Sequence, residues 1–250
     1  MELSAFFKKH PSVAVAFSGG VDSSYLLSAA VKDAEKVHAY YGKSAFQPQF
    51  ELADAIRVAK QLRVVLTVVE VDVLCCPQIV ANPADRCYYC KKLLFAKILD
   101  QATKDGYDLL LDGTNASDDA DDRPGMRALK ELAVRSPLRE CGLTKEEIRR
   151  RAKAAGLNTW NKPAYACLAT RIPTGEPITK EKLERTERAE NFLFSLGFTD
   201  FRVRMSGTAA KLQIPAAQME KVLENRTALV QALKQYYSAV TLDLEARDDE

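Results

Sequence analysis

With 250 residues, 47% hydrophobic and 28% charged, the chain can bury one large core or two modest ones, which excludes a disordered polypeptide. Lys plus Arg number 36 and Asp plus Glu 34, leaving a net charge of +2, too near balance for a protein that coats nucleic acid. No apolar run approaches the ~20 residues of a membrane-spanning helix, and the first residues lack the basic-then-apolar layout of a signal peptide. A cytoplasmic protein with no membrane partner is the expectation.

In chain order, the apolar run 13–17 reads as a strand buried on both faces, followed by a turn and an amphipathic helix over 22–32. A second strand is predicted at 37–41, a helix at 49–61, a third strand at 64–69, a helix at 87–104 and a fourth strand at 109–112. Strands alternating with helices of this length imply βαβ units and a mostly parallel sheet. Thr144 and Glu147 have the spacing of a capping box, starting a helix that Gly156 ends. Its Arg149-Arg150-Arg151 run reads as a solvated helix face.

The stretch 157–177, with Pro163, Pro173, Gly175 and Pro177, is irregular, and the domain boundary is placed inside it. Beyond it come a helix over 179–196 stopped by Gly197, strands at 201–205 and 210–214, a helical stretch over 216–237 and a strand at 240–244. The fold class expected is α/β: a parallel-sheet domain over 1–165 and a smaller α+β domain over 166–250.

Chemistry enters at Ser18-Gly19-Gly20-Val21-Asp22-Ser23, between the first strand and its helix. Two glycines let backbone approach a phosphate closely, the free N–H groups of the helix start face an anion, and Ser18 and Ser23 add hydroxyls. Open parallel sheets bind ligands at the carboxyl ends of their strands, where this loop falls. It is not a Walker A sequence.

Six cysteines, at 75, 76, 87, 90, 141 and 167, are too few and too uneven for a disulfide scaffold. Only Cys87 and Cys90 have ligand-like spacing; alone, that pair is redox-active, metal-binding or structural. Cys75, Cys76 and Cys141 are read as core residues. Two histidines, His10 and His38, cannot build a multi-histidine metal site. The acidic turn 118–122 reads as a solvated loop or, through Asp119 and Asp122, as carboxylates that orient substrate or Mg²⁺. Arg123, Arg171, Arg202 and Arg204 are candidates for a substrate phosphate or carboxylate, because a guanidinium binds both by paired hydrogen bonds, and Thr170 adds a hydroxyl.

The Ser18–Ser23 loop resembles the PP-loop of ATP pyrophosphatases, which split ATP into AMP and pyrophosphate while adenylating an acceptor oxygen. Three further segments narrow the resemblance: Asp112-Gly113-Thr114-Asn115 with the acidic turn, Cys167-Leu168-Ala169-Thr170-Arg171 with Gly175, and Arg202-Val203-Arg204 with the closing 241–245. Together they are similar to the LarE-type sulfur transferases over nearly the whole chain. The resemblance implies that Ser18, Gly19, Gly20, Asp22 and Ser23 hold the ATP phosphates with Mg²⁺, and that Ser44, Gly113 and Thr114 line the same nucleotide site. It implies a pyridinium carboxylate mononucleotide as the acceptor, adenylated and then converted to a thiocarboxylate.

In that family the cysteine at Cys167 either gives up its own sulfur or joins a CxxC pair, here Cys87 and Cys90, to hold a [4Fe-4S] cluster. The presence of both cysteines favours the cluster form. The resemblance also implies a homo-oligomer such as a hexamer. The chain departs from the family pattern at Ser206, Lys211 and Gln213, where a histidine, an arginine and a carboxylate are usual. Rival readings are a PP-loop tRNA thiolase, an ammonia-using synthetase and a non-catalytic adenine-nucleotide-sensing module.

Overall fold

Ser12–Ala16 forms a strand whose middle residues are fully buried, as a run of Val and Ala without alternation requires. In the computed structural model, which describes residues 2–118 and 124–247, that strand is β1 and lies second from one edge of a parallel sheet. It follows α1 (Leu3–Lys9). The chain continues through α2 (Val21–Asp33), β2 (Lys36–Lys43), α3 (Gln49–Leu62), β3 (Leu66–Glu70), α4 (Pro77–Val80), α5 (Arg86–Lys104) and β4 (Leu110–Leu111). Then come α6 (Pro124–Glu131), α7 (Pro137–Glu140) and α8 (Lys145–Ala154). A 3-10 turn at Leu168–Arg171 precedes α9 (Lys180–Ser195), β5 (Arg202–Ser206) and β6 (Ala209–Gln213). A second such turn, α10 (Met219–Glu224), α11 (Arg226–Leu233) and β7 (Val240–Leu242) follow.

The described residues divide into two units, 1–73 with 85–162, and 74–84 with 163–250. In the first, four parallel strands take the order β3-β2-β1-β4. Successive crossovers step from β1 out to β2 and β3, and the chain then returns to place β4 on the other side of β1. The direction of winding therefore reverses between β1 and β4, and their carboxyl ends part into a crevice. Two apolar clusters pack against the sheet, one built on Phe6, Phe7, Leu26, Leu27, Tyr41 and Ile148, the other on Tyr40, Phe95 and Ile98.

In the second unit β5 and β6 are antiparallel, and β7 joins β6 in parallel. The predicted helical stretch over 216–237 is two short helices after a 3-10 turn, broken at Asn225, whose side-chain amide donates to Lys221 O at 2.8 Å. The segment 74–84 belongs to this unit although a single cut in the sequence leaves it in the other. Backbone accounts for that: Asn82 Nδ2 donates to Pro173 O (2.8 Å), Gly175 N to Asn82 O (2.8 Å) and Ile178 N to Val80 O (2.8 Å).

Thr144 caps α8 by accepting from Glu147 N at 3.3 Å, as its spacing predicts, and Gly156 adopts φ +71 after the helix. On α8, Arg150 and Arg151 pair with Glu147, while Arg149 donates to Trp160 O and Lys162 O. The expected core placement of Cys75, Cys76 and Cys141 is corrected: Cys75 is exposed, and Cys76 and Cys141 are half-buried. Cys76 starts the short α4 beside Pro77, where the chain turns at the surface, and Cys141 follows α7 at the rim of the first apolar cluster.

Two glycines set the crevice. Gly19 has φ +75, and a Cβ there would lie 3.0 Å from the backbone of Ala55. Gly113, directly after β4, has its Cβ position 2.9 Å from Ser23 N. Gly113→Ala is expected to destabilise the protein by about 1–3 kcal/mol, because backbone at the start of α2 cannot give way. Gly20→Ala, whose Cβ meets only the Ser18 hydroxyl at 3.4 Å, is expected to be near neutral. Urea unfolding of the two variants measures the difference.

Candidate functional site

Behind β1 the loop closes on itself. Ser23 Oγ donates to Gly20 O at 3.2 Å and accepts from Ser18 N at 3.3 Å, and the two hydroxyls lie 3.1 Å apart. Gly20 N donates to Ser18 Oγ at 3.4 Å. Gly20 is the N-cap of α2 and brings no side-chain acceptor, so the amides of the first turn face outward without a cap. A 13-residue helix with its positive end bare is suited to an anion.

One functional residue escapes the motif. Lys145, the first residue of α8, reaches Asp22 with Nζ–Oδ2 2.6 Å. The other Asp22 oxygen, Oδ1, is buried without a hydrogen-bond partner. Burial raises the Asp22 pKa above its ordinary 3.8, and the ammonium of Lys145 opposes the rise. A buried carboxylate oxygen left orphaned beside a phosphate-shaped loop fits the role of a metal or phosphate-side ligand. In the sequence Lys145 is only the residue after a helix cap.

At the end of β4, Asp112 accepts from Thr114 Oγ1 (2.5 Å) and Ser136 Oγ (2.5 Å). Thr114 is therefore buried and oriented rather than open. Ser44 is buried after β2, where its hydroxyl donates to Gln47 Oε1 at 2.7 Å and accepts from Phe46 N at 3.2 Å. Its side chain builds the turn after β2. Asp119, Asp122 and Arg123 lie outside the described residues.

Cys87 and Cys90 sit in the first turns of α5, three residues apart and so on one helix face. Cys87 is exposed and Cys90 half-buried, and Arg86 Nη2 lies 3.7 Å from Cys87 Sγ. A cavity of about 280 Å³ in the first unit is lined by Cys87, Lys91, Thr114, Asp118, Pro124, Gly125 and Met126. Thus Cys87 shares a cleft with Thr114 from the end of β4, a juxtaposition of two residues that the sequence singles out separately. Among the described residues no group of three or more His, Cys, Asp or Glu is arranged to hold a metal ion. The paired thiols of α5 can offer two ligands; Cys167 belongs to the other unit.

In the second unit Cys167 is half-buried and caps the 3-10 turn Leu168–Arg171. Thr170 Oγ1 donates to Cys167 O at 2.8 Å and accepts from Arg171 Nη1 at 2.8 Å. Arg171, 1% exposed, pairs with Glu190, also 1% exposed, through Nε–Oε1 2.7 Å and Nη2–Oε2 3.2 Å. Tyr165 Oη and Val203 N donate to the same carboxylate at 2.5 and 3.0 Å. Burial works against the Arg171 charge, and Glu190 overcomes it, leaving the guanidinium more firmly protonated than usual.

In the structure Arg171 braces the Cys167 turn. Glu190 is the missed partner, hidden in the sequence as one acidic residue of a charged helix. Arg202 is buried too, donating to Ala164 O (2.7 Å) and Phe201 O (2.8 Å). Burial and the guanidinium groups of Arg171 and Arg247 push it down to about 10, so it stays cationic at neutral pH. Arg204 is exposed and, among the described residues, makes no hydrogen bond or ion pair. Desolvation of part of the side chain, with the same two neighbours, lowers its pKa as well. Of the four expected anion ligands, it alone is described and open.

The departures at 211 and 213 have a local account. Lys211 Nζ and Gln213 Nε2 lie 2.7 and 3.1 Å from Asp243 Oδ2, so an amide at 213 donates where a carboxylate would repel.

An open parallel sheet with a bare, glycine-flanked helix start at its topological switch point is the α/β architecture of a PP-loop domain. No family model matches the chain. It is 33% identical over 245 residues, 97% of this chain and 89% of the relative, to the pyridinium-3,5-bisthiocarboxylic acid mononucleotide synthase of Lactiplantibacillus plantarum. It is also 37% identical over 248 residues (97% and 92%) to an uncharacterized protein of Synechocystis, and 31% over 238 residues (95% and 91%) to one of Methanocaldococcus jannaschii. The chain belongs to the LarE-type family of pyridinium-3,5-bisthiocarboxylic acid mononucleotide synthases. No described helix is long and apolar enough to cross a membrane.

Lys145→Met removes the cation that holds the Asp22 carboxyl down, so its midpoint is expected to rise further above 3.8. Carbon-13 NMR titration of the Asp22 carboxyl reads this directly, and an unchanged or lower midpoint contradicts the pairing. Arg171→Ala leaves Glu190 buried without its counter-ion and is expected to cost about 3–5 kcal/mol of stability. Replacing both residues by methionine is expected to recover most of that loss in urea unfolding.

Proposed function

We propose that the protein performs ATP-dependent sulfur insertion, adenylating a pyridinium carboxylate mononucleotide and converting the acyl-adenylate to a thiocarboxylate. The observation that carries this reading is the bare helix start behind Gly19 and Gly20, with Lys145 and Asp22 beside it. In it the phosphates of ATP lie over the first-turn amides of α2, with Ser18 and Ser23 holding the loop in shape. Mg²⁺, when bound, neutralises the phosphates, and Asp22 is the loop carboxylate that would hold it.

A carboxylate oxygen of the acceptor attacks the α-phosphorus, the bond to the β-phosphate oxygen breaks, and pyrophosphate leaves against the helix amides and the ammonium of Lys145. The acyl-adenylate is a strong electrophile. A sulfur nucleophile forms the C–S bond at its acyl carbon and AMP departs.

Sulfur is delivered at Cys167, whose turn is braced by Thr170 and Arg171. In one form of the reaction the Cys167 thiolate attacks, having lost its proton to solvent. Loss of its α-proton and cleavage of its Cβ–S bond then release the thiocarboxylate and leave dehydroalanine. In the other, Cys87, Cys90 and Cys167 would hold a [4Fe-4S] cluster, which would be the source of the transferred sulfide. The exposed thiol of Cys87 beside Thr114 supports a working role for the CxxC pair.

Pyrophosphate release from ATP is expected only in the presence of the acceptor, which separates this reading from a nucleotide-sensing module. Cys167→Ala is expected to keep pyrophosphate release and lose the thiocarboxylate, read by product mass. Iron and acid-labile sulfide in anaerobically prepared protein, impaired by each of Cys87→Ala, Cys90→Ala and Cys167→Ala, mark the cluster form. Protein lighter by one hydrogen sulfide at Cys167 after turnover marks the sacrificial form.

A further inference from the structure

The cleft lined by Cys87 and Thr114 has a charge pattern that the nucleotide chemistry does not use. On one side Lys91 follows Cys87 by one helical turn on α5. Its neighbour Lys92 is exposed and tied to Glu131 (2.7 Å) and the Tyr88 hydroxyl (3.0 Å). Lys91 is instead half-buried, and among the described residues its ammonium makes no hydrogen bond or ion pair. The backbone of α6 makes room for it: a Cβ at Gly125 would lie 2.7 Å from Lys91 Cδ and 3.1 Å from Cε. Glycine at that position lets the lysine stem lie across the helix and keeps the charged end in the cleft. A half-buried cation without a counter-ion is costly unless an anion joins it.

The same cleft holds the carboxylate of Asp118, fixed by the Asn115 amide at 3.0 Å, and apolar surface from Pro124 and Met126. Among the described residues, one cation, one anion and apolar walls line about 280 Å³, which matches a flat ring that carries both charges. That volume is at the small end of ligand pockets, roughly 300 Å³ and upward, enough for a ring and not for a whole nucleotide.

We infer that this cleft seats the acceptor ring as a zwitterion, with Lys91 pairing a ring carboxylate and Asp118 balancing the positive pyridinium nitrogen. The inference rests on the acceptor class proposed above and assigns its ring to these residues. Lys91 then selects for a carboxylate, and Asp118 selects a pyridinium over a neutral ring. Gly125 acts through Lys91 as a positioning residue.

The test uses the full chain and two probes, N-methylpyridinium-3,5-dicarboxylate and benzene-1,3-dicarboxylate, titrated by NMR and calorimetry. The pyridinium probe is expected to bind more tightly, and Lys91→Ala to weaken it at least tenfold with ATP binding unchanged. Lys91→Arg should recover part of the loss, and Asp118→Asn should erase the preference between the two rings. Equal binding by wild type and Lys91→Ala, or a wild-type preference for the neutral ring, overturns the inference. Lys91-dependent binding of a probe that never elicits pyrophosphate from ATP keeps the cleft assignment and sinks the proposed reaction. Acceptor-dependent pyrophosphate release with an unchanged acceptor KM in Lys91→Ala does the reverse.

Discussion

Backbone from the end of β4 passes so close to the start of α2 that a single methyl group at Gly113 would press on Ser23 N. That approach follows from the strand order, which sets β2 and β4 on opposite sides of β1. With winding reversed there, no crossover helix covers the carboxyl ends of β1 and β4, and the loop after each faces the crevice. Gly19 and Gly113 keep both loops low, one through its left-handed backbone and the other through close packing. Lys145 enters the same place from α8, whose Ile148 and Ala152 are buried in the first apolar cluster. The loop after β1 and the start of α8 therefore present a carboxylate, free amides and an ammonium in one place because the sheet and its packed helices leave them no alternative.

The second unit solves a different problem. Arg202 and Arg204 are each close enough to Arg171 and Arg247 to be repelled by them. Glu190 makes the arrangement tolerable by accepting from Arg171, Tyr165 and the Val203 amide at once. Removing a buried carboxylate of this kind would leave an uncompensated cation, so the network is rigid by electrostatic necessity. What remains exposed is Arg204, together with the partly accessible Cys167.

Regular elements were legible in the sequence where one rule governed them. The buried strand β1 read as unbroken Val and Ala, and the cap at Thr144 read from its spacing, accepting from the amide three residues on. The loop after β1 was legible because glycine, serine and position all point to phosphate. Elements governed by tertiary contacts were not. Segment 74–84 has no periodicity that assigns it to the second unit; the Asn82 amide and two backbone bonds do so. The helical stretch over 216–237 carries a pattern too long for what forms, because Asn225 turns its side chain back on the helix before it. Arg171 and Glu190 look like surface charges, since sequence records ionisable groups but not the partner that lets them be buried. The same blindness hid Lys145, whose importance is its distance from Asp22 across 123 residues of chain.

The sulfur-bearing residues differ in how firmly they are placed, and this bears on how they can cooperate. Cys87 and Cys90 ride on a 19-residue helix, so their separation is fixed by helix geometry and survives changes elsewhere. Cys167 stands before a single 3-10 turn, a weak element by itself. Its placement is set from outside the turn, through Thr170 to Arg171 and through Arg171 to Glu190 on α9. The helix pair therefore keeps its spacing by helix geometry alone, while disturbing the Arg171–Glu190 pair displaces the Cys167 turn. The turn's dependence on one buried ion pair accounts for the charge buried beside it.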